Sequence, residues 1–405
     1  MGKATDSRKI TVPGFKFAAL SAGIKKTKKK DLALIFSETE ANTAGFFTTN
    51  KIKAAPVKID ISKIASGKGQ AIIINSGNAN ACTGHQGLKD AKETADSAAR
   101  ELGISPSLVY VASTGIIGHP LPMQKIKSSI PVLAKRLSYN SLCDVASAMM
   151  TTDTFPKIFS KKIDIDGKTG TIAGMAKGAG MICPNMATML CFILTDVSIG
   201  HDALNAALKN AVEKSFNRLA IDNDMSTNDT VLMMANGAMK NNPIQKNTPF
   251  YHKFANALAD VTYNLSKMIA GDGEGATKLI EVIVKGARTE SDAVKAAKSI
   301  ANSLLVKTAI YGEDPNWGRI MAAIGYADVD VKEEKIDIYL NNVKLVSRGM
   351  GAPQSRTLKG LLAKKEITIL VDLGLGKKEA KILTCDLTEG YIKINASYTT
   401  GMQEY

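Results

Sequence analysis

The chain has 405 residues, 45% hydrophobic and 22% charged, with a formal net charge of +14 at pH 7. This balance describes a globular protein with a large core and more than one lobe. No apolar run approaches the roughly 20 residues of a membrane helix, and Met1 to Lys16 lacks the apolar stretch of a secretory signal, so a soluble cytoplasmic protein without a membrane partner is expected.

In chain order, the first notable feature is a basic run, Lys25, Lys26, Lys28, Lys29 and Lys30, between two apolar segments. It reads as the solvated tip of a hairpin. Aromatic residues make up only 5% of the chain and do not interleave with these lysines, so no nucleic-acid partner is expected. The excess charge is better suited to attracting small anionic substrates. Gln70 to Asn75 and Leu108 to Ala112 read as short buried strands, with Leu88 to Leu102 as a helix between them. Ser113-Thr114-Gly115-Ile116-Ile117-Gly118 then reads as a turn of small residues at a strand end. Such a turn is either ordinary or aims a backbone N–H and a hydroxyl at one point, as an oxyanion hole requires.

Lys157 to Asp166 alternates with period two and predicts a strand. Asp202 to Leu219 carries Leu204, Leu208, Ala211, Val212 and Leu219 on one helical face. Phe254, Leu258, Val261, Leu265 and Met268 repeat that stripe. Thr277 to Val284, Lys335 to Leu340, Ile367 to Asp372 and Ala380 to Cys385 read as strands, which makes the last third strand-rich. Strands and helices alternate without low-complexity linkers, and the order suggests a layered α/β architecture. Met149, Met150, Met181, Met186 and Met189 read as core filler. The five cysteines are odd in number, without a CxxC pair, and the four histidines are scattered, so reduced thiols and no metal site are expected.

Two segments imitate ligand loops. Gly271-Asp272-Gly273-Glu274-Gly275-Ala276-Thr277-Lys278 looks like a phosphate loop, but no Gly-Lys-Ser/Thr follows and its third glycine comes one position early for GxGxxG. Its glycines still allow a tight turn presenting Glu274. Asp222, Asp224 and Asp229 resemble a calcium loop, yet Thr227 stands where the sharp turn needs glycine. That segment reads as a helix-to-strand turn with Asx caps.

The most informative stretch is Lys177-Gly178-Ala179-Gly180-Met181-Ile182-Cys183-Pro184-Asn185-Met186-Ala187-Thr188-Met189-Leu190. A turn bearing glycine and proline delivers a threonine behind a small alanine, at the head of a β-branched and apolar run from Thr188 to Thr195. Such a backbone can strain the Ala187–Thr188 bond and expose its carbonyl to Thr188 Oγ. Attack there moves the acyl group from nitrogen to oxygen, and hydrolysis of the ester leaves Thr188 at the head of a new chain. Its α-amine, with an ordinary pKa of roughly 7.7–8.0, can then serve as base for its own hydroxyl.

Thr151-Thr152-Asp153-Thr154, Lys177 to Met181, Pro184 to Leu190, Ser226-Thr227-Asn228-Asp229-Thr230 and Gly271 to Thr277 together resemble the ornithine acetyltransferases of arginine biosynthesis, also called glutamate N-acetyltransferases. The resemblance covers essentially the whole chain. It implies an α-β-β-α sandwich shared with self-processing aminopeptidases, carrying a strand-rich C-terminal lobe over about 288–405. It also implies cleavage between Ala187 and Thr188, giving an α chain 1–187 and a β chain 188–405 that assemble as two of each.

By the same resemblance, Thr188 is the nucleophile, and Thr114 and Gly115 form the oxyanion hole. Thr151, Lys177, Thr188, Glu274, Asn395 and Thr400 contact substrate. Residues 401–405 continue past the point near Thr400 where family chains tend to end. The implied reaction is ping-pong acetyl transfer from N2-acetyl-L-ornithine to L-glutamate without a cofactor; whether acetyl-CoA also serves as donor stays open. Two other readings stand at this point, a self-processing aminopeptidase or amidase that passes the acyl group to water, and a basic binding protein in which Thr188 merely opens a strand.

Overall fold

The structure is a computed structural model and describes residues 10–183, 189–352 and 360–396. An eight-stranded mixed sheet is formed by β1 (Phe15–Leu20), β2 (Leu32–Phe47), β3 (Lys68–Asn78), β4 (Val109–Ile116), β5 (Lys157–Ile165), β6 (Lys168–Lys177), β7 (Leu190–Thr195) and β8 (Thr230–Ala235). The strand order is β4-β3-β2-β8-β7-β6-β5, with β1 paired to β2. β2 belongs to both halves. Its first residues, Leu32 to Phe36, pair with β3, and its last, Asn42 to Phe47, pair with β8, across an irregularity between Phe36 and Ala41. A bulge of this kind bends a strand.

That bend folds the sheet onto itself. Alternate residues of the first half, Ile72 and Ile74, share a core with Phe192, Leu194, Leu232 and Met234 of the second half. The intervening residues point outwards, Ala71 and Ile73 on one side, Cys191, Ile193, Val231 and Met233 on the other. The outer face of the first half is covered by α1 (Ala55–Ile64), α2 (Gly84–Leu102) and α3 (Met123–Lys135). Between the two halves α4 (Leu142–Met149) inserts Val145, Ala146 and Met149. The outer face of the second half carries α5 (His201–Lys214) and α6 (Pro249–Gly271). The layers are therefore helix, sheet, sheet, helix, as the resemblance implied.

A second core belongs to a six-stranded sheet of order β12-β11-β10-β13-β9-β14. Its strands are β9 (Leu279–Ala287), β10 (Asp337–Leu340), β11 (Val343–Ser347), β12 (Met350–Gly351), β13 (Glu366–Asp372) and β14 (Lys378–Cys385). It packs on α7 (Glu290–Asn302), with α8 (Leu304–Tyr311) and α9 (Trp317–Gly325) beside it. α10 (Glu389–Ala396) follows β14. The strand-rich lobe thus begins at β9, ahead of position 288.

Several sequence expectations need adjustment. The helix expected to reach Leu219 ends at Lys214, where a short 3-10 turn, Phe216–Arg218, takes over. Among the methionines, Met149 and Met189 are buried but Met181 is 41% exposed, and Met186 lies outside the described residues. Ser113 to Ile116 is not a turn but the end of β4, parallel to Asn75–Asn78 of β3. Gly115 has φ +134 and pairs with Gly77, φ +97. A Cβ on Gly115 would stand 2.3 Å from the Gly77 carbonyl carbon. Gly115→Ala should therefore lower stability by about 1–3 kcal/mol through backbone strain alone; a urea midpoint equal to that of the parent protein would show that the β3–β4 approach is not as tight as described.

Candidate active site

The ends of β4 and β6, the turn after α4, the α6–β9 loop and α10 meet at one place. Lys177, the last residue of β6, is 4% exposed, and its Nζ donates to Thr151 Oγ1 at 2.7 Å and Thr114 Oγ1 at 3.3 Å. Burial holds its ammonium pKa below the ordinary lysine value, and Lys157 adds to this against the opposing pull of Asp153, Glu274 and Asp229. Glu274 is buried in the loop after α6, its amide donating to Ala179 O at 2.9 Å. Its carboxylate accepts from Asn395 Nδ2 at 2.8 Å and lies over Gly180, where a Cβ would meet Glu274 Oε2 at 2.4 Å. A side chain at position 180 would have to push this carboxylate aside.

Of the residues singled out from the sequence, Thr114, Gly115, Thr151, Lys177, Glu274 and Asn395 thus fall on elements that converge. Ala187, Thr188 and Thr400 lie outside the described residues. The chain on either side of the expected cleavage point is described. Leu190 stands opposite Lys177 in the β6–β7 pair, so the chain re-enters within one strand spacing, about 5 Å, of that lysine.

Sequence reasoning missed the charges that hold this place together. Asp153 is 7% exposed; its carboxylate accepts from the Gly178 amide at 2.7 Å, the Thr151 amide at 3.0 Å and Lys157 Nζ at 2.6 Å, with Lys177 Nζ 4.0 Å away. Lys157, fully buried, also reaches Asp272 at 2.5 Å. Asp272 in turn accepts from the Thr154 amide at 3.0 Å and from its hydroxyl. The motif Thr151 to Thr154 was visible in the sequence, but nothing in it pointed to Lys157, which reads as the first residue of a strand.

A cleft of about 990 Å³ opens beside Thr151 and Asp153, walled by Lys25, Lys29, His119 and Met150 among others. The lysine run is the expected hairpin connection, between β1 and β2, with Lys26, Lys28 and Lys29 exposed, but Lys25 is turned inwards. The buried Asp31 accepts amides from Ala22, Ile24 and Lys25 at 2.6–3.0 Å and curls the segment inwards. Lys25 Nζ donates to Met150 O at 2.7 Å. Burial lowers its pKa to about 8, with Asp31 opposing and Lys177 reinforcing the shift. Among the described residues no His, Cys, Asp or Glu group suited to a metal is found, and no helix is long and apolar enough to cross a membrane. Cys82, Cys143, Cys183, Cys191 and Cys385 form no disulfide among the described residues.

The loop before β8 grips the chain at both ends of residues 184–188. Asp222 accepts the Met181 and Ile182 amides at 2.6 and 2.8 Å, and also caps Asp224 N, the Asx turn expected there. Asp229 accepts the Met189 amide at 3.1 Å.

Residues 16–400 match the family model described as the ArgJ family. The chain belongs to the ArgJ family. It is 48% identical over 393 residues to the arginine biosynthesis bifunctional protein ArgJ of Geobacter sulfurreducens, covering 96% of this chain and all of that one. It is 51% identical over 398 residues to the protein of the same name from Caldanaerobacter subterraneus subsp. tengcongensis, covering 97% and 98%. Among solved structures, the arginine biosynthesis bifunctional protein ArgJ of Bacillus halodurans matches with 42% identity and a TM-score of 0.49, over 51% of this chain and 98% of that one. Family membership removes the basic binding protein as a reading.

The Asp153 network carries a pH dependence. Burial favours the neutral carboxyl, but Lys177, Lys157 and the Gly178 amide outweigh it and hold the pKa at about 2, below the ordinary 3.8. A pKa lowered by folding contributes stability that is complete above the unfolded value and vanishes as pH falls through the folded one. The contribution is on the order of 2 kcal/mol. The stability gap between the parent and Asp153→Asn, read from urea midpoints, should narrow as pH drops from about 4 to about 2. A gap that stays constant over that interval would detach Asp153 from the two lysines.

Proposed function

We propose that this enzyme, an acetyltransferase of arginine biosynthesis, moves an acetyl group from N2-acetyl-L-ornithine to L-glutamate through an ester on Thr188. The ester forms after the chain has cut itself between Ala187 and Thr188. The observation that carries this reading is the buried Lys177 ammonium, bonded to the hydroxyls of Thr114 and Thr151 and facing Leu190 across β6 and β7. A cation fixed between two hydroxyls, one strand spacing from the re-entering chain, suits a reaction in which negative charge develops on oxygen.

In this scheme cutting leaves Thr188 with a free α-amine. That amine takes the proton from Thr188 Oγ as the oxygen attacks the acetyl carbonyl carbon of acetylornithine. The negative oxygen of the tetrahedral intermediate rests against Thr114 and the Gly115 amide, each such donor contributing about 3 kcal/mol. Collapse breaks the C–N bond, and ornithine's α-nitrogen leaves with the proton from the Thr188 amine. Glutamate's α-amine then attacks the ester, and Thr188 Oγ recovers its proton as N-acetylglutamate departs. Glu274, whose carboxylate accepts from Asn395, can pair with an amino group of ornithine. Asn395 and Thr400 can donate to a carboxylate. Thr151 and Lys177 complete the substrate contacts. No cofactor enters the scheme, and an α2β2 assembly of the two chains accompanies it.

Thr188→Ala should remain a single 43.1 kDa chain and transfer no acetyl. Intact mass spectrometry of the parent should find fragments that meet at 187/188, the second gaining one acetyl group when acetylornithine is supplied alone. Normal cutting of the variant would remove Thr188 from the mechanism. Release of acetate in place of transfer to glutamate would favour the aminopeptidase or amidase chemistry.

A further inference from the structure

Lys25 lies in the connection between β1 and β2, and its contacts hold a half-buried ammonium at the cleft wall beside Thr151. The Lys25 backbone amide donates to the Asp31 carboxylate at 3.0 Å. The stem of the side chain rests on Gly77, where a Cβ would stand 2.9 Å from Lys25 Cγ, and Gly77 is the residue that pairs with Gly115. At its end, Nζ donates to Met150 O at 2.7 Å and to Lys30 O at 3.3 Å. Two of its three protons are thus spent on carbonyls. Among the described residues Lys25 forms no ion pair: the Asp31 carboxylate is taken up by amides, and Asp153 by Lys157 and the amides of Thr151 and Gly178. An ammonium held partly out of water without a counter-charge attracts an anion more strongly than a solvated one.

The cleft offers room for such an anion. Its volume of about 990 Å³ lies at the upper end of small-molecule pockets, roughly 300–1,000 Å³. Part of its wall is fixed by Asn78, whose Nδ2 donates to His119 O at 3.1 Å and Pro120 O at 3.0 Å. Met150 and Thr151 are consecutive, and Thr151 Oγ1 accepts from Lys177, so the Lys25 and Lys177 ammoniums stand within about 10 Å of each other. Lys177 also feels the charge of Glu274, and Lys25 feels that of Lys177. The surroundings of Lys177 therefore hold both a carboxylate, from the α6–β9 loop, and a second ammonium, from the β1–β2 connection.

We propose that Lys25 receives the side-chain carboxylate of the acetyl acceptor, glutamate, and is the residue that lets one site take an anionic side chain after releasing a cationic one. This rests on the acetyl-transfer reading above. Ornithine finds Glu274 for an amino group, whereas the second carboxylate of glutamate takes the third Lys25 proton and supplies the missing counter-charge. Burial lowers the Lys25 pKa to about 8, with Asp31 and Asp153 opposing and Lys177 and Lys29 reinforcing the shift. An ammonium-ended substrate thus meets a lysine that sheds its charge more readily than an exposed one, and a bound carboxylate reverses the shift. No bond is made or broken at Lys25; its part is selection and placement.

The test compares the full-length parent with Lys25→Gln, whose amide can still donate to Met150 O but carries no charge, and Lys25→Arg, which keeps the charge. Each half of the transfer is read separately: acetylation of the enzyme by acetylornithine alone, followed by intact mass, and acetyl uptake by glutamate at saturating acetylornithine. In Lys25→Gln the KM for glutamate should rise about 10- to 100-fold, and the effect on acetylation by acetylornithine should be smaller by about an order of magnitude. Lys25→Arg should stay within about threefold of the parent in its KM for glutamate. Equal losses in both halves, an unchanged KM for glutamate in Lys25→Gln, or an arginine variant as impaired as the glutamine one overturns the proposal.

Should the variants fail to fold, reductive methylation of the parent, mapped by peptide mass, still decides. Lys25 should be methylated in the free enzyme, spared in the presence of glutarate, an amine-free dicarboxylate, and not spared by pentanoate, which lacks the second carboxylate. Absence of methylation in the free enzyme, or methylation that glutarate leaves unchanged, also overturns the proposal. If the parent passes no acetyl group to glutamate, the functional reading falls first and takes this one with it. If the parent does so but neither signature appears, only the role of Lys25 falls.

Discussion

One buried carboxylate, Asp153, ties the site together. It binds the amides of Thr151 and Gly178 and the ammonium of Lys157, and stands 4.0 Å from that of Lys177. Through Lys157 the same charge reaches Asp272, and through Asp272 the Thr154 backbone. Two aspartates and two lysines, all nearly sealed from water, thus balance one another. Removing one partner from such a set typically costs 3–5 kcal/mol, because the remaining charges stay buried, while the intact set contributes little net stability over apolar packing. The value of the network lies in placement. It fixes the end of β6, the turn after α4 and the loop presenting Glu274 relative to each other, and these three carry most of the described site.

The loop from Asp222 to Asp229 plays the complementary part for the chain on either side of residues 184–188. Asp222 grips the amides before it and Asp229 the amide after it. Asn228 anchors this loop across the sandwich, donating to Ala79 O at 2.7 Å and Ser113 O at 2.8 Å, next to Thr114. The end of β4 and the loop before β8 are thereby one mechanical unit. Hydrogen bonds from backbone amides to carboxylates are strong and directional.

The cleft beside Thr151 owes its charge to the same construction. The curled lysine loop brings Lys25 to the wall of the cleft instead of leaving it in solvent, so part of the net charge of +14 is concentrated there. A cleft lined with lysines on one side raises the local concentration of small anions.

The sequence alone settled what depends on local pattern. Short apolar runs located β3, β13 and β14, period-two alternation located β5, helical stripes located α5 and α6, and the contiguous motifs around Lys177, Ser226 and Gly271 pointed to the family. It also marked Thr114, Thr151, Lys177, Glu274 and Asn395, which the fold gathers from five separate segments. Tertiary structure alone decided the rest, because burial and pairing are properties of space. The bend of β2 that turns one sheet into two facing layers cannot be read from its residues. Nor can Lys157, an ordinary strand-opening lysine until two aspartates 119 positions apart close on it. Asp229 resembled a fragment of a calcium loop in the sequence; only the packing of β7 against β8 shows it buried and accepting the Met189 amide.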